Sequence, residues 1–268
     1  MPGTGASDTV PFMRLAAGLL ALMIAASPCE GARLAVPYAQ QAAPSTCAAT
    51  AFAMVARFAG VPAPLTQVVR SVFVGPQGIA WLDLADFGST VGLETLVVQL
   101  NDGQLNRLID GGRPVIVSVV EGGAKHAIVV VGRDERGYDI MDSARPERRR
   151  LTTKELGNTW ARGQAILVHA LNRAPVNSRW EDLRRQNRRF RAIEWGLRAE
   201  AAEVAGGDPL FLYGRALAED PTIPELYARR AQLHARLGHR SAAEDDLRVA
   251  ASLREKNPKS ERPGPGEW

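Results

Sequence analysis

Residues Gln40 to Gly60 read QQAAPSTCAATAFAMVARFAG. A polar, turn-like lead-in gives way at Cys47 to an apolar run. Cys47 to Phe58 holds good helix formers, and Ala51, Met54, Val55 and Phe58 fall on one helical face. Pro62 and Pro64 stop the helix. A cysteine at a helix N-terminus meets unpaired backbone N–H groups and the positive end of the helix dipole, and both favour the thiolate. That position alone does not separate a nucleophile from a small buried hydrophobe. A nucleophile also needs a base, and the base needs a group that orients it.

Downstream, the pattern mixes helix and strand. Leu65 to Phe73 reads as a short helix with Thr66 as its cap, and Trp81 to Ser89 as a third helix. WLDLADF (Trp81 to Phe87) reads as an amphipathic helix on the core, with a cleft wall as the alternative. Leu93 to Leu100 is strand-like. Asp102 is expected to cap a helix to Asp110, ended by Gly111 and Gly112. Three β-rich runs follow: PVIVSVV (Pro114 to Val120), HAIVVVG (His126 to Gly132) and GYDIMD (Gly137 to Asp142). EGGAK and RDER lie between them as turns. Thr152 to Trp160 resembles a short helix, and Ala165 to Leu171 a last strand. Helices followed by a mostly antiparallel sheet argue an α+β fold.

Within this region the candidate bases are His126 and His169. His169 sits late in the final strand between Val168 and Ala170, and reads as structural. His126 opens a strand directly after EGGAK, where a side chain can project into a cleft. Asp142 follows 16 residues later and closes the next strand. If the two strands pair as a hairpin, His126 and Asp142 become neighbours. Acyl transfer also needs oxyanion donors. Gln41, six residues before Cys47, offers its amide, with the Cys47 backbone N–H as a second donor.

These pieces resemble a known family. QAAPSTC (Gln41 to Cys47), KHAIVVVG (Lys125 to Gly132), YDIMDS (Tyr138 to Ser143) and LTTKELGNTW (Leu151 to Trp160) follow the order of the bacteriocin-processing, double-glycine-leader cysteine peptidases and their stand-alone relatives. The resemblance covers about Val36 to Leu171. It implies a papain-like fold, with Cys47 as nucleophile, His126 as base, Asp142 as orienting acid and Gln41 in the oxyanion hole. The chain departs from the pattern at Thr46, at Ala48 where the family usually has Gly, and at Ser143 where it often has Pro. The family's transporter members act on the cytoplasmic side. Cleavage of double-glycine leaders is therefore not carried over as the substrate assignment.

The 268 residues, 46% hydrophobic and 23% charged, suit a folded soluble protein of one or two domains. The expected divisions are an export segment at 1–32, the peptidase-like domain at 34–172, helices at 180–257 and a disordered tail at 258–268. Leu15 to Ala26 (LAAGLLALMIAA) is about right for a signal-peptide core and short for a membrane span. A start at Met13 would give a more ordinary signal. The expected location is periplasmic or secreted, with anchoring through an uncleaved or lipidated N-terminus as the alternative. Pro28 before Cys29 argues against a lipobox. If Cys29 survives maturation, a bond to Cys47 in an oxidising compartment would block the nucleophile.

From about Trp180 to Asn257 the pattern is all helical, and Ala216 and Ala250 stand 34 residues apart. This resembles a tetratricopeptide repeat. So few repeats seldom fold alone, so these helices are expected to pack on the first domain or on another chain. Arg148 to Arg150, and Arg179, Arg184, Arg185, Arg188, Arg189 and Arg191, read as a solvated helix face or linker; an acidic partner or anionic lipid is the sharper alternative. Net charge of +4 does not argue for nucleic acid. Two cysteines and four histidines show no zinc pattern, and no nucleotide motif is present, so no cofactor is expected. The reading is an exported cysteine peptidase acting on a peptide or protein. Its alternatives are a binding module that recruits a protein partner through the C-terminal helices, and an amidase or acyl transferase with the same triad.

Overall fold

The computed structural model describes residues 33–75, 78–175 and 177–257. The candidate signal segment with Cys29, and the tail from 258, lie outside the described residues. The described residues all fall in one compact unit. The elements run α1 (Cys47–Phe58), α2 (Leu65–Ser71), β1 (Val74–Gly75), β2 (Gly78–Ile79), α3 (Trp81–Thr90), β3 (Leu93–Gln99), α4 (Asp102–Asp110), β4 (Val115–Glu121), β5 (Ala124–Asp134), β6 (Gly137–Asp142), β7 (Arg145–Leu151), α5 (Thr153–Thr159) and β8 (Trp160–Ala170). Four helices follow: α6 (Ser178–Ala205), α7 (Pro209–Glu219), α8 (Pro224–Arg236) and α9 (Arg240–Lys256). No described helix is long and apolar enough to cross a membrane.

The main sheet has the order β3-β8-β4-β5-β6-β7, antiparallel throughout. Helices cover both faces, so its central strands are apolar on both sides. Period-two geometry sorts their residues. Ile116, Val129, Val131, Ile166 and Val168 pack with α1 and α3 in one core. Val115, Val117, Ile128, Val130, Ala165 and Leu167 pack with α4, Trp180 and Leu183 in the other. The α+β expectation holds.

Local expectations hold unevenly. A 3-10 turn, Pro44–Thr46, leads directly into α1, and Thr46 Oγ1 donates to Ala43 O at 2.8 Å. Every residue from Cys47 to Ala56 is buried, beyond the single apolar face expected. The alanines at 48, 49, 51, 53 and 56 let neighbours close around the helix on all sides. Helix α3 buries Leu82, Leu84, Ala85 and Phe87, which supports its reading as a core helix. Thr66 does not cap α2, because the helix has already begun at Leu65, behind Pro64. The cap of α4 is Asn101, one residue earlier than expected; it exchanges hydrogen bonds with Gln104 in a capping box. Strand β5 begins at Ala124, so His126 is its third residue and does not open it. Strand β7 was missed. Its arginines suit an edge strand, where charge discourages further pairing.

The opposite edge, β3, is covered by α6. Asn187 Oδ1 accepts the Val97 N–H at 2.8 Å, and Gln186 Oε1 accepts the Gln99 N–H at 3.4 Å. Leaving a buried N–H such as that of Val97 without a partner would cost about 1–3 kcal/mol. Trp180 Nε1 and Arg184 Nε both donate to Glu94 on β3, at 2.9 and 2.6 Å. Arg191 pairs with Asp86 and Glu219, and Arg198 with Asp83. The basic run is therefore only partly a solvated face: Arg184 and Arg191 tie α6 to the sheet and to α3. Helices α6 with α7, and α8 with α9, form packed pairs. Ala216 and Ala250 are both buried, and Ala216 lies in the core shared by α6, α7 and α8, where a larger side chain would hold the helices apart.

Candidate active site

Helix α1 packs against β5, which brings the Cys47 end of the helix beside His126. His126 Nε2 lies 2.7 Å from Asp142 Oδ1. The strand-pairing inference thus places this pair correctly. With Nε2 engaged, Nδ1 is the ring nitrogen left for the thiol. Asp142 is 1% exposed and closes β6. Its Oδ1 also accepts the Ala144 N–H at 2.9 Å. Its Oδ2 is buried with no hydrogen-bond partner, and Arg149 Nη1 and Arg145 Nε stand 3.7 and 3.9 Å away. Glu121 holds both guanidiniums, with Nη1 of Arg149 at 2.6 Å and Nη2 of Arg145 at 3.2 Å.

The electrostatics follow from these contacts. Burial pushes the Cys47 thiol up. The His126 hydrogen bond and the backbone N–H groups of Ala127 and Ala48 outweigh it, and the thiol sits below its ordinary range. His126 is pushed up to about 9, first by the Asp142 hydrogen bond and then by Cys47. Burial also acts to raise Asp142, but His126, the Ala144 N–H and the charge of Arg145 carry its carboxyl down. All three shifts favour one state at neutral pH: thiolate, imidazolium and carboxylate.

Gln41 sits in the lead-in, with its backbone N–H on Ser143 O at 2.9 Å. Ser143 Oγ donates to Gln41 Oε1 at 2.7 Å. Cys47, His126 and Asp142 thus form one contact series, and Gln41 joins it through Ser143, the residue after Asp142. His169 does not join them. It is buried against Trp180 in an edge-to-face contact at 4.5 Å, and burial drives its pKa down to about 4. It stays neutral, as a structural histidine should. Among the described residues no group of three His, Cys, Asp or Glu side chains could hold a metal ion. Two surface hollows flank α6, one beside Trp180 and one beside Asn187, and neither is lined by Cys47 or His126.

Residues 35–172 match the Peptidase C39 family. The chain belongs to that family. It is accordingly a cysteine peptidase, a hydrolase. Solved structures similar to it include a double glycine motif protease from an AMS/PCAT transporter, in complex with the leader peptide. That match has 23% identity, covers 51% of this chain and 92% of the other, and has a TM-score of 0.44. The peptidase domain of Streptococcus ComA shares 23% identity over 50% and 98% of the two chains, with a TM-score of 0.45. A C39-like peptidase from Bacillus anthracis shares 15% over 52% and 97%, also at 0.45. No curated protein matches this C39 peptidase.

Sequence reasoning missed several groups around the C39 site. The Ala127 N–H toward sulfur and the paired Arg145 and Arg149 behind Asp142 carry no local signature. Ser143 was visible only as a departure from the family pattern.

Proposed function

We propose that this chain is an exported cysteine peptidase that works through Cys47, His126, Asp142 and Gln41. The observation that carries the reading is the 2.7 Å contact of His126 with Asp142, beside a thiol held low by the same imidazole. In this mechanism the Cys47 thiolate attacks the peptide carbonyl carbon. The carbonyl π electrons move to oxygen, and the oxyanion accepts N–H from Gln41 and from the Cys47 backbone. His126 then gives its Nδ1 proton to the leaving amine as the C–N bond breaks. Water, deprotonated by His126, attacks the thioester and releases the acid and the thiolate. Asp142 holds the ring by Nε2 and favours its charged form throughout.

Iodoacetamide tests the ground state. Cys47 should label rapidly at pH 7, with the rate falling only below its depressed pKa. Turnover should fall above about 9, where His126 loses the proton the leaving amine needs. In His126→Ala, labelling at pH 7 should slow about 30- to 100-fold, because an ordinary thiol is only a few per cent ionised there. Slow labelling, the same in both proteins, would refute the ion pair.

Export is supported by the apolar run from Leu15 to Ala26. Fusing residues 1–32 to alkaline phosphatase, which matures only outside the reducing cytoplasm, should give an active reporter. An inactive, cytoplasmic fusion would remove export from the reading.

A further inference from the structure

The catalytic halves of this site come from distant parts of the chain, and one two-residue turn joins them. Asp142 pairs with Arg145 across the β6–β7 hairpin, leaving Ser143 and Ala144 as the turn. The Ala144 N–H fixes Asp142, which in turn holds His126. Ser143 faces the other way, toward the lead-in. Its side chain is fully buried, and its hydroxyl donates to Gln41 Oε1 at 2.7 Å. Its carbonyl accepts the Gln41 backbone N–H at 2.9 Å. Gln41 is thus held at two points, 102 residues away in sequence.

A carboxamide carries its acceptor and its donors at opposite corners of one plane. An unrestrained glutamine turns about its last torsion and offers oxygen or NH2 with similar ease. Oxygen aimed at a developing oxyanion repels it, whereas NH2 stabilises it. Engaging Oε1 with a hydroxyl sets the plane and commits Nε2 to the other side. We propose that Ser143 is a positioning residue: its hydroxyl orients the Gln41 amide so that Nε2 faces the tetrahedral oxyanion. The proposal rests on the reading of Gln41 as an oxyanion donor. Ser143 touches no reacting atom and acts through Gln41 alone.

Two reagents separate this role from simple structural support. Acylation of Cys47 by p-nitrophenyl acetate passes through a tetrahedral oxyanion. Alkylation by iodoacetamide does not, and it reports only the thiolate. In the full chain, Ser143→Ala should slow acylation about tenfold and leave alkylation unchanged. Gln41→Ala should slow acylation about 100-fold, the scale of a lost oxyanion donor. The double variant should be no slower than Gln41→Ala alone. Ser143→Gly, which also lacks the hydroxyl, repeats the measurement if Ser143→Ala does not fold. A wild-type acylation rate in Ser143→Ala, with Gln41→Ala slowed, overturns the proposal and leaves the Gln41 reading standing. A wild-type rate in Gln41→Ala overturns both. Alkylation that falls together with acylation, or a double variant slower than Gln41→Ala, shows Ser143 acting by another route and overturns it as well.

Discussion

Cys47→Ser is expected to slow acylation by p-nitrophenyl acetate about 10⁴-fold or more, with the fold retained. The magnitude follows from what removing a triad nucleophile costs. In the native protein the imidazole of His126 and two backbone N–H groups lower the Cys47 thiol and so favour the thiolate, with the proton on His126. A serine hydroxyl is a far weaker acid than a thiol, so the same surroundings do not ionise it. The proton then stays on oxygen, and the attack must begin from a neutral nucleophile. Its smaller oxygen also draws back from N–H groups placed for sulfur. Cys47 is nearly buried at the start of α1, and the exchange is almost isosteric, so circular dichroism should not change. Residual acylation within tenfold of wild type would place the nucleophile elsewhere.

The second large effect concerns Asp142, where two substitutions should part company. Asp142→Asn keeps an oxygen for His126 Nε2–H and for the Ala144 N–H, but removes the charge. The Asp142 hydrogen bond is the main cause of the raised His126 pKa. The alkaline limb of turnover should therefore move down from about 9 toward the ordinary value near 6.5. Asp142→Ala removes charge and acceptor together. It leaves the Ala144 N–H unpaired and takes one of two carboxylates from beside Arg145 and Arg149, with Glu121 remaining. Activity should fall about 10⁴-fold, as when a triad orienter is lost. Folding should weaken by about 3 kcal/mol, as when one partner of a buried pair is removed.

The pH dependence of stability gives a separate check. A raised histidine pKa stabilises the folded state fully below about 6.5, and that contribution is lost as pH rises through about 9. The gap in urea stability between wild type and Asp142→Asn should thus be wide near pH 6.5 and narrow near pH 10. A gap independent of pH, with an unmoved alkaline limb, would show that Asp142 does not govern His126.

Much of this site could be read from local rules. A strand alternates sides every residue, and a short turn reverses it. The 16-residue interval between His126 and Asp142 was therefore enough to place them side by side, even though the strand start was misjudged by two residues. The change from a polar lead-in to an apolar run of helix formers marked the helix start at Cys47. Edge strand β7 was lost because its arginines carry no apolar alternation. Its stability comes from pairing with β6 and from ion pairs such as Arg149 with Glu121.

What remained closed to the sequence lies between elements far apart along the chain. Nothing near Asn187 announces that its amide meets Val97, 90 residues earlier. Nothing near Gln41 names Ser143 as its partner. The sequence by itself determined the α+β class, the helix that starts at Cys47 and the pairing of His126 with Asp142. Each of these rests on backbone geometry repeated over a few residues. Only the tertiary structure decided which groups lower the Cys47 thiol, which turn bonds to Gln41 and which helix covers β3. Those contacts depend on how whole elements pack, and packing at long range leaves no periodic trace in the chain.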